Sequence, residues 1–99
     1  MRVIIMPEAE ADLEQIADYI AQDSPKRALS FVRELRRRCE ELADSAEAYP
    51  LLQRYGQEGI RRRVSGNYLI FYAIRADQVH VLHVLHGARD YEAILFPEG

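Results

Sequence analysis

The chain has one cysteine, one lysine among 13 basic residues, and no apolar run of the roughly 18 residues that a membrane-crossing helix needs. Cys39 alone cannot close an internal disulfide. With no CxxC pair and only three histidines, the ligands for a structural zinc site are too few, so neither metal nor cofactor is expected. The N-terminus lacks the basic, apolar, small-residue succession of a secretory leader, which makes the cytoplasm the expected location, away from membranes. The scarcity of lysine also carries information. Arginine suits planar, bidentate contacts to carboxylates or phosphates, whereas lysine is the usual choice for solubility alone. A net charge of −3 argues against broad, phosphate-driven binding of nucleic acid.

What is present suits one domain spanning residues 1–99, with 48% hydrophobic residues, enough for a single core and too short for a second. Charge is unevenly laid out. Residues 1–23 carry six acids against Arg2, and residues 24–41 carry six bases against Glu34, Glu40 and Glu41. The chain opens with a β-branched run, Arg2 to Met6, ended by Pro7, as expected of a strand followed by a helix with proline in its first turn. Ala9, Leu13, Ile16, Ala17 and Ile20 then recur at three- and four-residue spacing, the apolar face of a helix from Pro7 to about Gln22. Glu8, Glu10 and Asp12 fall at its start, where free N–H groups and the dipole favour negative charge.

Asp23-Ser24-Pro25 stops this helix and starts another, with Ser24 as N-cap and Pro25 in the first helical position. The second stripe is Ala28, Phe31, Val32, Leu35, Cys39 and Leu42, so Cys39 reads as a small buried hydrophobe, and the short break makes an antiparallel helix hairpin. Arg36, Arg37 and Arg38 read as a solvated helix face with glutamate neighbours. From Ala43 to Gly59 periodicity is lost, giving a long connection with Tyr49, Leu51, Leu52 and Tyr55 as anchors.

Three strand-like runs follow, Ile60 to Ser65, Tyr68 to Arg75 and Gln78 to His86, joined at Gly66-Asn67 and Ala76-Asp77, a meander of hairpins. In the last run Val79, Val81 and Leu85 alternate with Leu82 and Val84, and the central run is apolar on both faces. Helices tied by so short a hairpin cover one sheet face. The other needs the tail, Tyr91 to Phe96, or a partner molecule. The expected fold is α+β, in the order β-α-α-β-β-β: an N-terminal strand and a two-helix hairpin packed on one face of a small antiparallel sheet.

This order, with Ala9, Asp12, Leu13, Ile16 and Tyr19 in the first helix, Ser24-Pro25 with Ala28 and Phe31, then Leu42, Pro50, Arg61 to Val64, Tyr68 to Tyr72 and Val84 to Asp90, resembles the RelE/ParE superfamily of toxins. The ending is nearer the ParE, plasmid-stabilisation branch. The resemblance implies a toxin of a type II toxin–antitoxin module, inhibiting DNA gyrase by binding and without a catalytic centre. It also implies a cognate antitoxin whose C-terminal segment folds across the toxin, possible assembly as a hetero-oligomer, and contact with operator DNA only through that antitoxin. A RelE-like endoribonuclease acting on messenger RNA in the ribosome is the alternative, and a non-toxic antitoxin-binding module is a third reading.

The candidate residues divide along these lines. Arg61, Arg63, Arg89 and Tyr91 are expected to contact antitoxin or target. A nuclease would instead need a base, an acid and fixed positive charge, for which Arg63, His86 and Arg89 are the expected set, with His83, Arg62 and Tyr91 as further candidates. His80 and His83, inside an apolar strand, read as structural, whereas His86 ends the strand at Gly87, where sites are commonly assembled. Arg89 either pairs with Asp90 and pins the tail or meets an antitoxin carboxylate. Arg61 to Arg63 form either a solvated face or a partner-binding patch.

Overall fold

The computed structural model describes residues 1–52 and 59–97. Tyr55, expected as a loop anchor, lies outside the described residues. The elements are β1 (Arg2–Ile5), α1 (Pro7–Ala21), α2 (Pro25–Glu40), α3 (Leu42–Ser45), β2 (Ile60–Ser65), β3 (Tyr68–Arg75), β4 (Gln78–His86) and α4 (Tyr91–Leu95), which keep the expected order and add two short helices, α3 and α4. Pro7 and Pro25 open their helices where a missing N–H costs nothing, and the Ser24 hydroxyl accepts a hydrogen bond from the Arg27 N–H at 3.2 Å. α3, a single turn in the stretch read as a connection, carries the chain on from α2 through helical Glu41 and buries Leu42 completely.

The meander is antiparallel, and its strand limits are those read from the sequence. β1, whose place the sequence leaves open, joins β4 in parallel, with Arg2 opposite Gln78 and Ile5 opposite Val81. The four strands therefore form a mixed sheet in the order β1-β4-β3-β2. α1 and α2 cover one face, over Ile70, Tyr72, Val79, Val81 and Val84. On the other face, Ile60, Leu69, Phe71 and Leu85 lie under Tyr91, Ile94, Leu95 and Phe96. Of the two covers considered for that face, the tail is the one observed.

The facing of β4 departs from simple alternation. A register shift, with Phe71 opposite His83 and Tyr72 opposite Val81, leaves Leu82 as an extra residue in β4. Such a bulge exchanges the faces beyond it. Val84 therefore sits with Val79 and Val81 beneath the helices, and Leu85 turns to the second face, the reverse of the expected assignment.

Candidate functional site

Where β1 ends at Ile5, the outer edge of the last part of β4 has no strand beside it among the described residues. α1 supplies the substitute. The Asp12 carboxylate accepts the Val84 N–H at 2.9 Å and lies 2.8 Å from His83 Nδ1. Asp12 is only 9% exposed, and with both contacts made it is a satisfied buried acid. Its role differs from the dipole contact expected of it, although its place three residues after Ala9 and four before Ile16 puts it on the apolar stripe itself.

Above this bracket runs a groove of about 570 Å³ between the ends of the helix hairpin, the β2–β3 turn and the end of β4. Tyr19, Ile20, Phe31 and Tyr68 supply its apolar wall, and His86 and Arg89 its polar end. Its size is within the ~300–1,000 Å³ usual for binding clefts. Phe31 meets Tyr68 edge-on at 5.4 Å between ring centroids, and Tyr68 meets His86 edge-on at 5.2 Å, so the wall is braced from α2 to β4. Burial pushes the Tyr68 hydroxyl above its ordinary pKa, which keeps it a neutral donor. Tyr19, 70% exposed on α1, offers most of its ring to whatever enters.

The expected site residues separate into two groups. His86 and Arg89 share the polar end of the groove. His86 Nδ1 accepts the Ala88 N–H at 3.1 Å. Arg89 is exposed and pairs with no carboxylate among the described residues; Asp90 instead caps α4 by accepting the Ala93 N–H at 3.3 Å. Arg61 and Arg63 point away from the groove into the scaffold. Arg61 donates to the Tyr49 and Glu47 carbonyls at 2.7 and 3.2 Å. Arg63, its side chain 11% exposed, donates to the Arg38 carbonyl at 2.7 Å, pairs with Glu41 at 2.9 Å and lies 5.1 Å from the Tyr49 ring centroid.

Tyr91 is on the second face, its ring 5.1 Å from that of Phe71 and its hydroxyl 3.4 Å from Arg62. The nuclease set Arg63, His86 and Arg89 is thus not brought together, since Arg63 is held against α2 and Tyr49. His83 is bound to Asp12, and His80 Nε2 is 3.3 Å from the Gln78 amide oxygen. Sequence reasoning missed Asp12, Tyr19 and Tyr68 as parts of the site, though all three stand among the residues that carried the resemblance. Among the described residues no three His, Cys, Asp or Glu side chains are grouped to hold a metal ion, and no helix is long and apolar enough to cross a membrane.

The fold is shared with solved proteins. A chain described as the chromosomal ParDE toxin–antitoxin system from P. aeruginosa superposes with a TM-score of 0.74 at 19% identity, over 87% of this chain and 95% of that one. No curated protein matches the chain. The family model for the ParE toxin of the type II toxin–antitoxin system, parDE, matches residues 3–91, a span running from β1 through the groove to the first residue of α4. By that match the chain belongs to the ParE toxin family of type II toxin–antitoxin systems.

Proposed function

We propose that this chain arrests growth by binding DNA gyrase, without a catalytic centre of its own, and that a cognate antitoxin neutralises it by laying a segment into the groove. The observation that carries the reading is the family match over residues 3–91. The groove supports the antitoxin part: an aromatic wall with an uncommitted arginine at one end suits a segment with apolar anchors and a carboxylate. The second sheet face is already covered by α4 and the residue after it, which supports the groove as the antitoxin's seat. Inhibition by binding is supported by the engagement of Arg63 in the scaffold and by the acidic net charge of −3.

The test is a supercoiling assay with purified gyrase beside a translation assay with purified ribosomes. Inhibited supercoiling that antitoxin relieves is the expected result. Cleaved messages with unaffected supercoiling would overturn the gyrase target in favour of a ribonuclease.

A further inference from the structure

α2 carries six of the chain's 13 basic residues, and they fall into two classes. Arg36 pairs with Glu10 across the hairpin, and Arg37 and Arg38 pair with Glu34 along the helix. Lys26, Arg27 and Arg33 are exposed and have no carboxylate partner among the described residues. Lys26 and Arg27 also occupy the first turn of α2, where the helix dipole disfavours positive charge; the same turn of α1 holds Glu8 and Glu10. Folding alone gives no reason for this choice. Lys26, Leu29 and Arg33 stand at i, i+3 and i+7 on one stripe, and Leu29, between the two cations, is 55% exposed. Phe31, two residues and roughly 200° further round the helix, lines the groove, so the stripe faces away from it.

We propose that this outer stripe of α2 is the surface through which the toxin meets its target, and that the target presents acidic side chains around an apolar spot that receives Leu29. The assignment rests on the reading above that the chain acts by binding a protein. Charge complementarity selects an acidic partner. The exposed leucine at the centre of the cations selects a protein, because an interface between proteins has an apolar core and a polar rim, whereas a phosphate backbone offers nothing to an aliphatic side chain. The net charge of −3 also weighs against nucleic acid. Since the stripe and the groove are on opposite sides of α2, they are separable by mutation.

The experiment compares the full chain with Lys26→Glu/Arg33→Glu and with Leu29→Ala, in growth arrest on expression, in gyrase supercoiling, and in affinity for the cognate antitoxin. The double variant is expected to lose growth arrest and to need at least tenfold more protein for half-inhibition of gyrase. Leu29→Ala is expected to need severalfold more. Antitoxin affinity and the far-ultraviolet spectrum should stay at wild-type level, showing that the groove and the fold are intact. A double variant that arrests growth as wild type does overturns the proposal, as does a wild-type chain that arrests nothing. Salt-sensitive binding of the wild-type chain to a bare DNA duplex, lost in the double variant, overturns it in favour of nucleic acid. Loss of arrest in the double variant, when even the wild-type chain leaves gyrase unaffected, keeps the surface and refutes the gyrase target.

Discussion

Asp12 joins α1 to the sheet beyond the end of β1, where β4 continues past the last residue of their pairing. Removing its carboxylate leaves the buried Val84 N–H without a partner and frees His83. An unsatisfied buried donor costs about 1–3 kcal/mol. Asp12→Ala should therefore lower the unfolding free energy read from urea denaturation by that amount, and Asp12→Asn, which keeps an acceptor oxygen, by less; equal losses would show that only packing is at stake. Two other carboxylates act through charge. Hydrogen bonds from Arg37 and Arg38 hold Glu34 down from the ordinary 4.5 to about 2, and Arg36 lowers Glu10. A carboxylate depressed in the folded state contributes stability above its unfolded value, and that contribution is lost as the pH falls through the folded one. Thermal unfolding should show stability declining from about pH 4.5 towards pH 2. Both pairs are largely exposed, so the decline should shrink in 1 M salt, and Glu34→Gln should flatten it. Cys39 belongs to neither group: burial pushes its thiol up to about 12, as a packed hydrophobe requires.

At the scale of elements, the helices and the meander were legible because each announces itself locally. Ser24-Pro25 is a capping signal, the stripes have helical period, and the strands stop at two-residue turns. The β4 bulge was not legible, and the cover of the second face was legible only as a choice between the tail and a partner, because both depend on what lies across the sheet. The bulge arises between Phe71 and Tyr72 of the neighbouring strand, and α4 is a five-residue helix with no buried residue of its own that packs through Tyr91 and the residues after it. The same locality left the arginines open: Arg61 to Arg63 read in the sequence as a solvated face or a partner patch, and in the fold they reach the Glu47, Tyr49 and Arg38 carbonyls, the Glu41 carboxylate and the Tyr91 hydroxyl.

One turn is poorly matched to its residues. Ala76 and Asp77 join β3 to β4 with φ of 52° and 60°, a left-handed pair that suits Asn-Gly. Gly66, with φ of 60°, meets the same demand at the other hairpin without strain. Replacing Ala76-Asp77 by Asn-Gly should stabilise the protein by about 0.5–1 kcal/mol, read as a melting temperature higher by a few degrees. An unchanged or lower melting temperature would mean that the added freedom of glycine in the unfolded chain cancels the relief.

For the whole molecule, on the proposal that an antitoxin segment lies in the groove, charge and aromatic surface take separate roles in how it arrives and how it leaves. Arg89 stands exposed at the rim, where a charge mainly steers encounter; Tyr19 stands over the wall, where an aromatic anchor mainly slows departure. Arg89→Glu replaces attraction to a carboxylate with repulsion, so antitoxin association should slow at least tenfold at low salt and approach the wild-type rate in 0.5 M salt, where the Debye length is only a few ångströms. Tyr19→Ala should leave association nearly unchanged and speed dissociation at least tenfold, with little dependence on salt. Surface plasmon resonance at two salt concentrations separates the two effects. Antitoxin that binds both variants with wild-type rates would place its segment elsewhere on the toxin, and an Arg89→Glu effect confined to dissociation would place the arginine inside a desolvated contact instead of on the rim.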